Sequence, residues 1–371
     1  MKQHYYTTKR IDSTGARYRI IFGERSNGKT YACLQKALEK FYETGEQFAY
    51  LRRWDEDIRQ KRMQQLFAGH IQNGLIRKLS KGRNQSITYK TGAFYPVTIE
   101  EHEDEKPADE FREPVPAGYA FSLTAVEHDK STSYPNVTTI IFDECLTRRA
   151  YLPDEFVTLM NVLSTLIRDR DNVVIYMLGN TVNKYAPYFD EMGLNKIANM
   201  KPGDLDIYEY GNTGLTVAVE YADSAGKGKA SDVYFAFDNP KLQMITSGAW
   251  EIALYPHNSV HYKPKDVVFN YFIDFQNELL QADMVVTDDV TFTVIHRKTS
   301  QLKAPDEDLI FSLQSDPRPN WRRNIMKPTD RTTQIIYSHF QKDLVYYQDN
   351  TVGEIVRNYL IACSKSTMIK A

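Results

Sequence analysis

The sequence predicts an α/β protein, with a mostly parallel sheet over its first half followed by a smaller α+β domain. Three observations carry this. Apolar runs of strand length at 18–22, 47–51, 137–142 and 173–178 alternate with stretches of helical periodicity, the pattern of βαβ units. The first run leads straight into a glycine-bounded turn that opens a helix. Beyond about residue 200 the pattern changes: Gly203, Gly211, Gly214, Gly226 and Gly228 punctuate a polar stretch, and the runs after it are strand-like. The boundaries that follow are a first domain over 1–203, a linker region over 204–234 and a second domain over 235–371.

Taken in order, residues 1–16 are polar and read as irregular, with Lys9 and Arg10 near the start of the fold. The strand at 18–22 ends in Gly23-Glu24-Arg25-Ser26-Asn27-Gly28-Lys29-Thr30, which fits G-x-x-x-x-G-K-[ST] without a mismatch. The spacing has a mechanical reason. Gly23 and Gly28 allow the positive φ and close approach needed to wrap a polyphosphate. Backbone N–H groups then form an anion nest beside the positive end of the next helix. Lys29 supplies a point charge for the β/γ-phosphates, and the Thr30 hydroxyl is placed to ligate Mg²⁺. Tyr31, Leu34, Leu38 and Phe41 continue at helical spacing, and Gly45 stands where that helix ends. ATP and Mg²⁺ are the cofactors this implies, in a P-loop NTPase domain.

The strand at 47–51 ends in Arg52-Arg53, and 55–67 reads as a charged helix. A hairpin is expected across Thr91-Gly92. Glu100-Glu101-His102-Glu103-Asp104-Glu105, followed by Pro107, Pro114 and Pro116, reads as a solvated, loosely ordered insertion rather than a metal site. Strand character returns at 119–123. The strand at 137–142 runs into Asp143-Glu144, a pair suited to hold Mg²⁺ (Asp143) and activate the attacking water (Glu144). Phe156, Leu159, Met160, Leu163, Leu166 and Ile167 form a helical stripe closed by Arg168-Asp169-Arg170. Those arginines are either C-terminal helix charges or, in a ring of subunits, a finger reaching a neighbour's phosphates. Arg52 and Arg53 raise the same alternative. The strand at 173–178 leads to Gly179-Asn180, where Asn180 either touches the γ-phosphate or lytic water or simply begins a loop. In the second domain, strands are expected at 233–237, 267–275, 284–286 and 291–295, with helices near 335–340 and 352–361.

Composition excludes several classes. No apolar run approaches the ~20 residues of a membrane span, and Met1-Lys2-Gln3-His4 opens no signal-peptide core, so no membrane partner is expected and the cytosol is the expected location. Three widely spaced cysteines rule out a disulfide framework and any C-x-x-C metal site. His257 and His261 lie between Pro256 and Pro264, which argues for loop histidines rather than helix-spaced ligands. At a net charge of −2 the chain is no polycation, so any nucleic-acid contact must use local basic surface.

Gly23 to Ala32, Tyr42-Glu43-Thr44-Gly45-Glu46-Gln47-Phe48 with Tyr50-Leu51-Arg52-Arg53, and Ser133-Tyr134-Pro135-Asn136-Val137 leading to Asp143-Glu144 resemble the DNA-packaging ATPases of phi29-like phages. Leu178-Gly179-Asn180-Thr181-Val182 and Asn183 to Tyr188-Phe189 continue the likeness, which covers about residues 18–190. The resemblance implies an ASCE-type ATPase working as a homo-oligomeric ring, a pentamer, at the portal (connector) vertex of a prohead. There it translocates double-stranded DNA, with a structural RNA as a further partner of such motors. Carried over by position, Lys29 and Thr30 are the phosphate-loop pair, Asp143 and Glu144 the metal and catalytic carboxylates, and Arg168 the trans-acting finger. The family's C-terminal domain resembles an RNase H-like nuclease without its catalytic carboxylates. Two departures stand out. The acidic stretch at about 99–116 has no placed counterpart, and Asp55 stands where the family can carry a lysine. Two other readings remain open. One is a large-terminase-like enzyme that also cuts DNA, with Asp266, Asp274, Glu278 and Asp283 as available carboxylates. The other is a nucleotide-dependent assembly or trafficking factor, which would need an anchor that the sequence does not display.

Overall fold

In the computed structural model, residues 5–100, 108–125, 132–147, 151–152, 154–181, 186–223, 255–258, 260–276, 278–288, 290–300, 302 and 304–365 are described. The chain forms two compact units, Met1–Glu251 and Ile252–Ala371. The first begins with helix α1 (Lys9–Asp12), strand β1 (Tyr18–Gly23), helix α2 (Lys29–Thr44) and strand β2 (Gln47–Arg52). Short helices α3 (Gln60–Gln64), α4 (Ala68–Gln72) and α5 (Leu75–Leu79) lead to β3 (Ser86–Lys90), β4 (Ala93–Glu100), β5 (Asp109–Arg112) and β6 (Gly118–Ser122). Then come β7 (Val137–Phe142), α6 (Glu155–Ile167), β8 (Val174–Asn180), α7 (Pro187–Glu191), β9 (Leu205–Tyr210) and β10 (Leu215–Tyr221).

These ten strands make one sheet in the order β3-β4-β6-β2-β7-β8-β1-β10-β9, with β5 paired to β4. Every pair from β6 across to β10 is parallel, and antiparallel strands stand only toward the two edges. Two-residue alternation divides the core. Ile20, Phe22, Ala49, Leu51, Ile140 and Phe142 pack with Leu159, Val162, Leu163 and Leu166 of α6 on one face. Ile21, Phe48, Tyr50 and Ile141 pack with Cys33, Leu34, Ala37 and Leu38 of α2 on the other. A sheet covered on both faces explains why its central strands read as unbroken apolar runs.

Several sequence expectations change. The stretch read as a linker, 204–234, contains β9 and β10, and β10 extends the parallel sheet beside β1. Two of its glycines are turn residues, Gly211 and Gly214, which take positive φ between the two strands, and Gly226 and Gly228 lie outside the described residues. The helix expected over 55–67 is instead a 3₁₀ turn, Asp55–Ile58, and the short α3, broken where Arg59 is extended. In the acidic insertion, β5 pairs antiparallel with β4 from Val97↔Arg112 to Glu100↔Asp109, while the acidic run from 101 to 107 lies outside the described residues. Within 1–16, α1 buries Ile11, and Asp12 pairs with Arg19 at 2.6 Å. The Thr91-Gly92 hairpin forms as expected, with positive φ at both residues.

The second unit holds an antiparallel meander, β11 (Val267–Phe275), β12 (Glu278–Val286) and β13 (Thr291–Arg297). Parallel strands β14 (Ile310–Ser312) and β15 (Trp321–Arg322) add beyond β11, and β16 (Val345–Tyr347) adds beyond β13. Helices α8 (Arg331–Gln341) and α9 (Asn350–Lys365) lie where apolar periodicity expects them. Asp330 caps α8 by accepting from the Thr333 N–H at 2.9 Å. The strand expected at 284–286 is the end of the longer β12, and the one expected at 233–237 lies outside the described residues.

Candidate active site

β1, β8 and β7 end at the same edge of the sheet, and that edge carries the predicted site. Asn180 is the register partner of Gly23, and the Thr181 N–H donates to the Gly23 carbonyl at 3.1 Å. Gly23 is required by close approach: a Cβ there would lie 2.9 Å from the Ala222 carbonyl oxygen. Gly28 caps α2 with φ 93°, a conformation that penalises any side chain. The Lys29 ammonium folds back on its own loop. It donates to the carbonyls of Glu24 at 2.6 Å and Gly23 at 3.4 Å, to Asn27 Oδ1 at 3.1 Å and to Asn180 Oδ1 at 3.4 Å.

Asp143 is the hub. Thr30 Oγ1 donates to both its carboxylate oxygens at 3.2 Å, and the Tyr50 hydroxyl donates to Oδ2 at 2.8 Å. Arg52 lies 3.8 Å away, and the Glu144 N–H donates to Oδ1 at 3.0 Å. Burial pushes the Asp143 carboxyl above its ordinary range although Arg52 and Tyr50 pull it down. Burial and the nearby Asp143 charge hold the Tyr50 phenol protonated. Glu144, at φ 55°, turns outward and meets Arg52 Nη2 at 2.6 Å. Burial acts to lower the Arg52 pKa, but Tyr50, Glu144 and Asp143 together raise it.

The adjacent Arg53 does a different task. Its Nε donates to Glu155 Oε1 and Oε2 at 2.9 and 2.8 Å, and its other nitrogens to the carbonyls of Glu144 at 3.2 Å and Cys145 at 2.7 Å. Tyr188 also donates to Glu155, so the turn bearing Glu144 is tied to the start of α6.

A cleft of about 720 Å³ runs through this edge, lined from Arg25 to Tyr31 and by Arg52, Asp57, Asp143, Glu144 and Asn180. The buried Asn27 Nδ2 and Arg52 Nε on its walls have no hydrogen-bond partner among the described residues. Predicted residues Lys29, Thr30, Asp143, Glu144 and Asn180 therefore converge, together with the loop residues Arg25, Ser26, Asn27 and Gly28. Glu24 belongs to the loop but is buried behind it.

Arg168 does not converge. It caps the C-terminus of α6, at φ 52°, and donates to the Thr132 carbonyl at 3.0 Å. That is the opposite edge of the sheet, about 20 Å from the cleft along the length of β8. Arg170 is occupied there by the Pro135 carbonyl at 2.9 Å and by that of Val137.

Sequence reading missed Tyr50, Asp57 and Glu155. Tyr50 had a signal: it stands two residues before Arg52, so both point to the same face of β2, beside Asp143 on the parallel neighbour. Asp57 and Glu155 carried only the look of ordinary helix-start acids.

The family described as Podovirus DNA encapsidation protein (Gp16) matches residues 1–229. The chain belongs to this family. The DNA packaging protein of Bacillus phage B103 is 30% identical over 184 residues, 47% of this chain and 47% of that one. That of Bacillus phage phi29 is 28% identical over 191 residues, 51% of this chain and 50% of that one. The chain thus spans about half the length of the curated relatives it matches. The solved bacteriophage phi29 genome packaging motor assembly has the same fold at 19% identity, with a TM-score of 0.54 over 95% of this chain and 96% of that one.

Proposed function

We propose that this member of the encapsidation family is an ATP-hydrolysing motor that drives double-stranded DNA into a prohead. The observation that carries the reading is the convergence of Lys29, Thr30, Asp143, Glu144 and Asn180 on one cleft at the ends of adjacent parallel strands. Strand β8 lies between the loop strand β1 and the carboxylate strand β7, which supports an ASCE-type P-loop ATPase.

Residues Gly23 to Thr30 wrap the polyphosphate with backbone N–H groups. On ATP binding, Lys29 exchanges loop oxygens for phosphate oxygens, and the partnerless Asn27 Nδ2 gains an acceptor. Thr30 and the buried Asp143 fit a divalent cation, since a desolvated carboxylate beside a hydroxyl gains most from a positive charge. They would hold Mg²⁺, which neutralises the β- and γ-phosphate charge when bound. Glu144, released from Arg52, takes the proton of the attacking water, and Asn180 orients that water or the γ-phosphate. Arg53 and Glu155 keep the Glu144 turn in place.

Arg168 acts on a neighbouring subunit, because its place on the far edge keeps it from its own cleft. A homo-oligomeric ring supplies that neighbour. A pentamer at the portal vertex, a structural RNA as partner and transient residence there from the host cytoplasm belong to the same reading. Among the described residues no helix is long and apolar enough to cross a membrane.

The second unit is assigned an RNase H-like role in docking and gripping DNA rather than cutting it. Its three-strand meander with parallel strands on both sides supports the fold assignment. Asp274 on β11 and Asp283 on β12 stand four register positions apart, whereas two-metal cleavage needs carboxylates converging on ions ~3.5–4 Å apart.

ATPase turnover measured with and without double-stranded DNA, alongside native mass, tests the motor reading. DNA stimulation in a ring-sized species is the expected result; turnover indifferent to DNA would sink it. Mixing Arg168→Ala chains with Glu144→Gln chains tests the finger. Each is inactive alone, and verified mixed rings recover activity where a native Arg168 meets a native Glu144. Mixed rings that stay inactive would reduce Arg168 to a helix cap.

A further inference from the structure

One stretch of the first unit carries charge of a single sign. From 58 to 99 the chain has Lys or Arg at eight positions and no Asp or Glu, in a protein of net charge −2. Soluble surfaces normally intersperse the two signs. All eight basic residues are exposed, and none of them lines the nucleotide cleft. Arg62 pairs with Asp57, and Arg83 lies 3.7 Å from Glu113. The side chains of Arg59, Lys61, Arg77, Lys78, Lys81 and Lys90 have no ion-pair or hydrogen-bond partner among the described residues.

Folding brings these residues to one edge of the sheet. β3 is the outermost strand there, and the segments before it in sequence pack along it. α3 sits at its C-terminal end: the Tyr89 N–H donates to Gln64 Oε1 at 2.8 Å, and the Gln60 amide donates to the Tyr89 carbonyl. Arg59 and Lys61 flank Gln60 and therefore stand beside Lys90. At the other end, the turn from α5 into β3 carries Arg77, Lys78, Lys81 and Arg83. That turn is firmly held. The Gly82 N–H donates to the Arg77 carbonyl at 2.7 Å, and the Asn84 N–H donates to the Ser80 hydroxyl at 2.9 Å. The buried Asn84 side chain donates to Glu113 Oε1 at 3.0 Å and accepts from the Tyr42 hydroxyl at 3.2 Å.

Lysines on an edge strand also deter strand addition, and Arg77 and Lys78 complement the C-terminal end of α5. Neither effect accounts for the exclusion of acids from the whole stretch. The rings of the stretch are engaged elsewhere. Phe67, Tyr89 and Phe94 are buried, and Arg112 lies over the Tyr95 ring at 4.4 Å. The edge thus presents charge without an aromatic platform, which suits phosphates and not the bases of a single strand. The five residues of β3 extend about 17 Å, the rise of roughly five phosphates along one strand of a duplex.

We propose that the β3 edge of the first unit docks the phosphate backbone of double-stranded DNA, with Arg59, Lys61 and Lys90 at one end and Arg77, Lys78 and Lys81 at the other. The choice of DNA rests on the motor reading above; the charge and its placement do not.

Fluorescence anisotropy of the full chain with a labelled mixed-sequence DNA duplex, titrated across a range of salt, tests it. Two triple variants are compared with the parent: Arg59→Gln, Lys61→Gln, Lys90→Gln, and Arg77→Gln, Lys78→Gln, Lys81→Gln. Each is expected to weaken duplex binding at least about tenfold and to lower the slope of log affinity against log salt by about 2 to 3, since each lost phosphate contact removes about 0.9. Turnover of ATP without DNA stays at the parent level in both. The charge-preserving variant Arg77→Lys, Lys78→Arg, Lys81→Arg retains parent affinity and slope. A parent slope in both neutralised variants would overturn the surface and leave the motor reading standing. Equal weakening in the charge-preserving variant would overturn it too, by showing that the fold of the turn matters and its charge does not. Preference of the parent for duplex RNA or single-stranded DNA over duplex DNA, lost in the neutralised variants, would move the surface to another partner. A parent chain that binds no duplex even at low salt is a different failure, that of the motor reading, and it removes this surface with it.

Discussion

Carboxylates sit at both sheets of this chain, and only those of the first are gathered, with Asp57, Asp143 and Glu144 lining one cleft. Asp143 directly follows β7 and meets Thr30, Tyr50, Arg52 and a backbone N–H within one cleft. In the second unit the acids are dispersed. Asp274 on β11 accepts from the Ser312 hydroxyl at 3.4 Å, and burial pushes its carboxyl up. Asp283 on β12 pairs with His296 at 3.3 Å and accepts from Gln281 at 2.8 Å. Asp274 stands opposite Leu279 while Asp283 stands opposite Asn270, four residues along the same strand, or about 13 Å. Parallel strands bring all their C-terminal ends to one edge, so loop residues from distant sequence meet there. An antiparallel meander sends alternate ends to opposite edges and spreads its polar residues along the faces.

The largest effect that sharpens this contrast is at the gathered site. Lys29→Ala is expected to abolish nucleotide binding, while Glu144→Gln binds ATP and loses at least about a hundredfold in turnover, the range for removing a general base. Near-normal turnover in Glu144→Gln would take the base role away from this residue and weaken the contrast at its root.

Next is Glu155→Gln. Arg53 and Glu155 are both buried, with Arg53 Nε donating to both Glu155 oxygens, and breaking such a pair leaves an uncompensated charge, at about 3–5 kcal/mol. Chemical denaturation is expected to show a loss of this order. A loss below about 1 kcal/mol would mean that the Glu144 turn does not depend on this tie.

A smaller effect belongs to the second unit. The bond from Asp283 chiefly raises the His296 pKa. At Asp283, burial pushes upward but the His296, Gln281 and Tyr262 bonds bring the carboxyl below its ordinary range. The sign follows from each shift. The His296 contribution is full below its unfolded value of about 6.5 and is lost as pH rises through the higher folded value. The Asp283 contribution is full above about 4 and is lost as pH falls below that. His296→Gln is therefore expected to flatten the fall in melting temperature between about pH 6 and 8, with a change of no more than about 1 kcal/mol. An unchanged slope would show that another group sets it.

The smallest expected effect is none. With plasmid and Mn²⁺, the full chain should leave DNA uncut, and Asp274→Ala should behave as the parent does. Cleavage that disappears in Asp274→Ala would erase the contrast and favour the terminase-like reading.

The glycine-bounded turn at 23–30, the Asp143-Glu144 strand end and the alternation of strands with helices were legible from residues 18–180 alone, because each is a local pattern whose physics is local. Glycine allows positive φ whatever surrounds it, and apolar periodicity reports which face is buried. What tertiary structure decided was everything that depends on which strands become neighbours. Arg52 and Arg53 are identical in sequence terms, yet side-chain alternation sends one toward Glu144 and the other into the Glu155 pair. The glycine-rich stretch from 204 looked like a linker because its strands are short and polar at their exposed positions; only pairing with β1 made β10 part of the sheet. Arg168 is separated from its own cleft by the length of β8, and strand order, which no stretch of sequence contains, put it there.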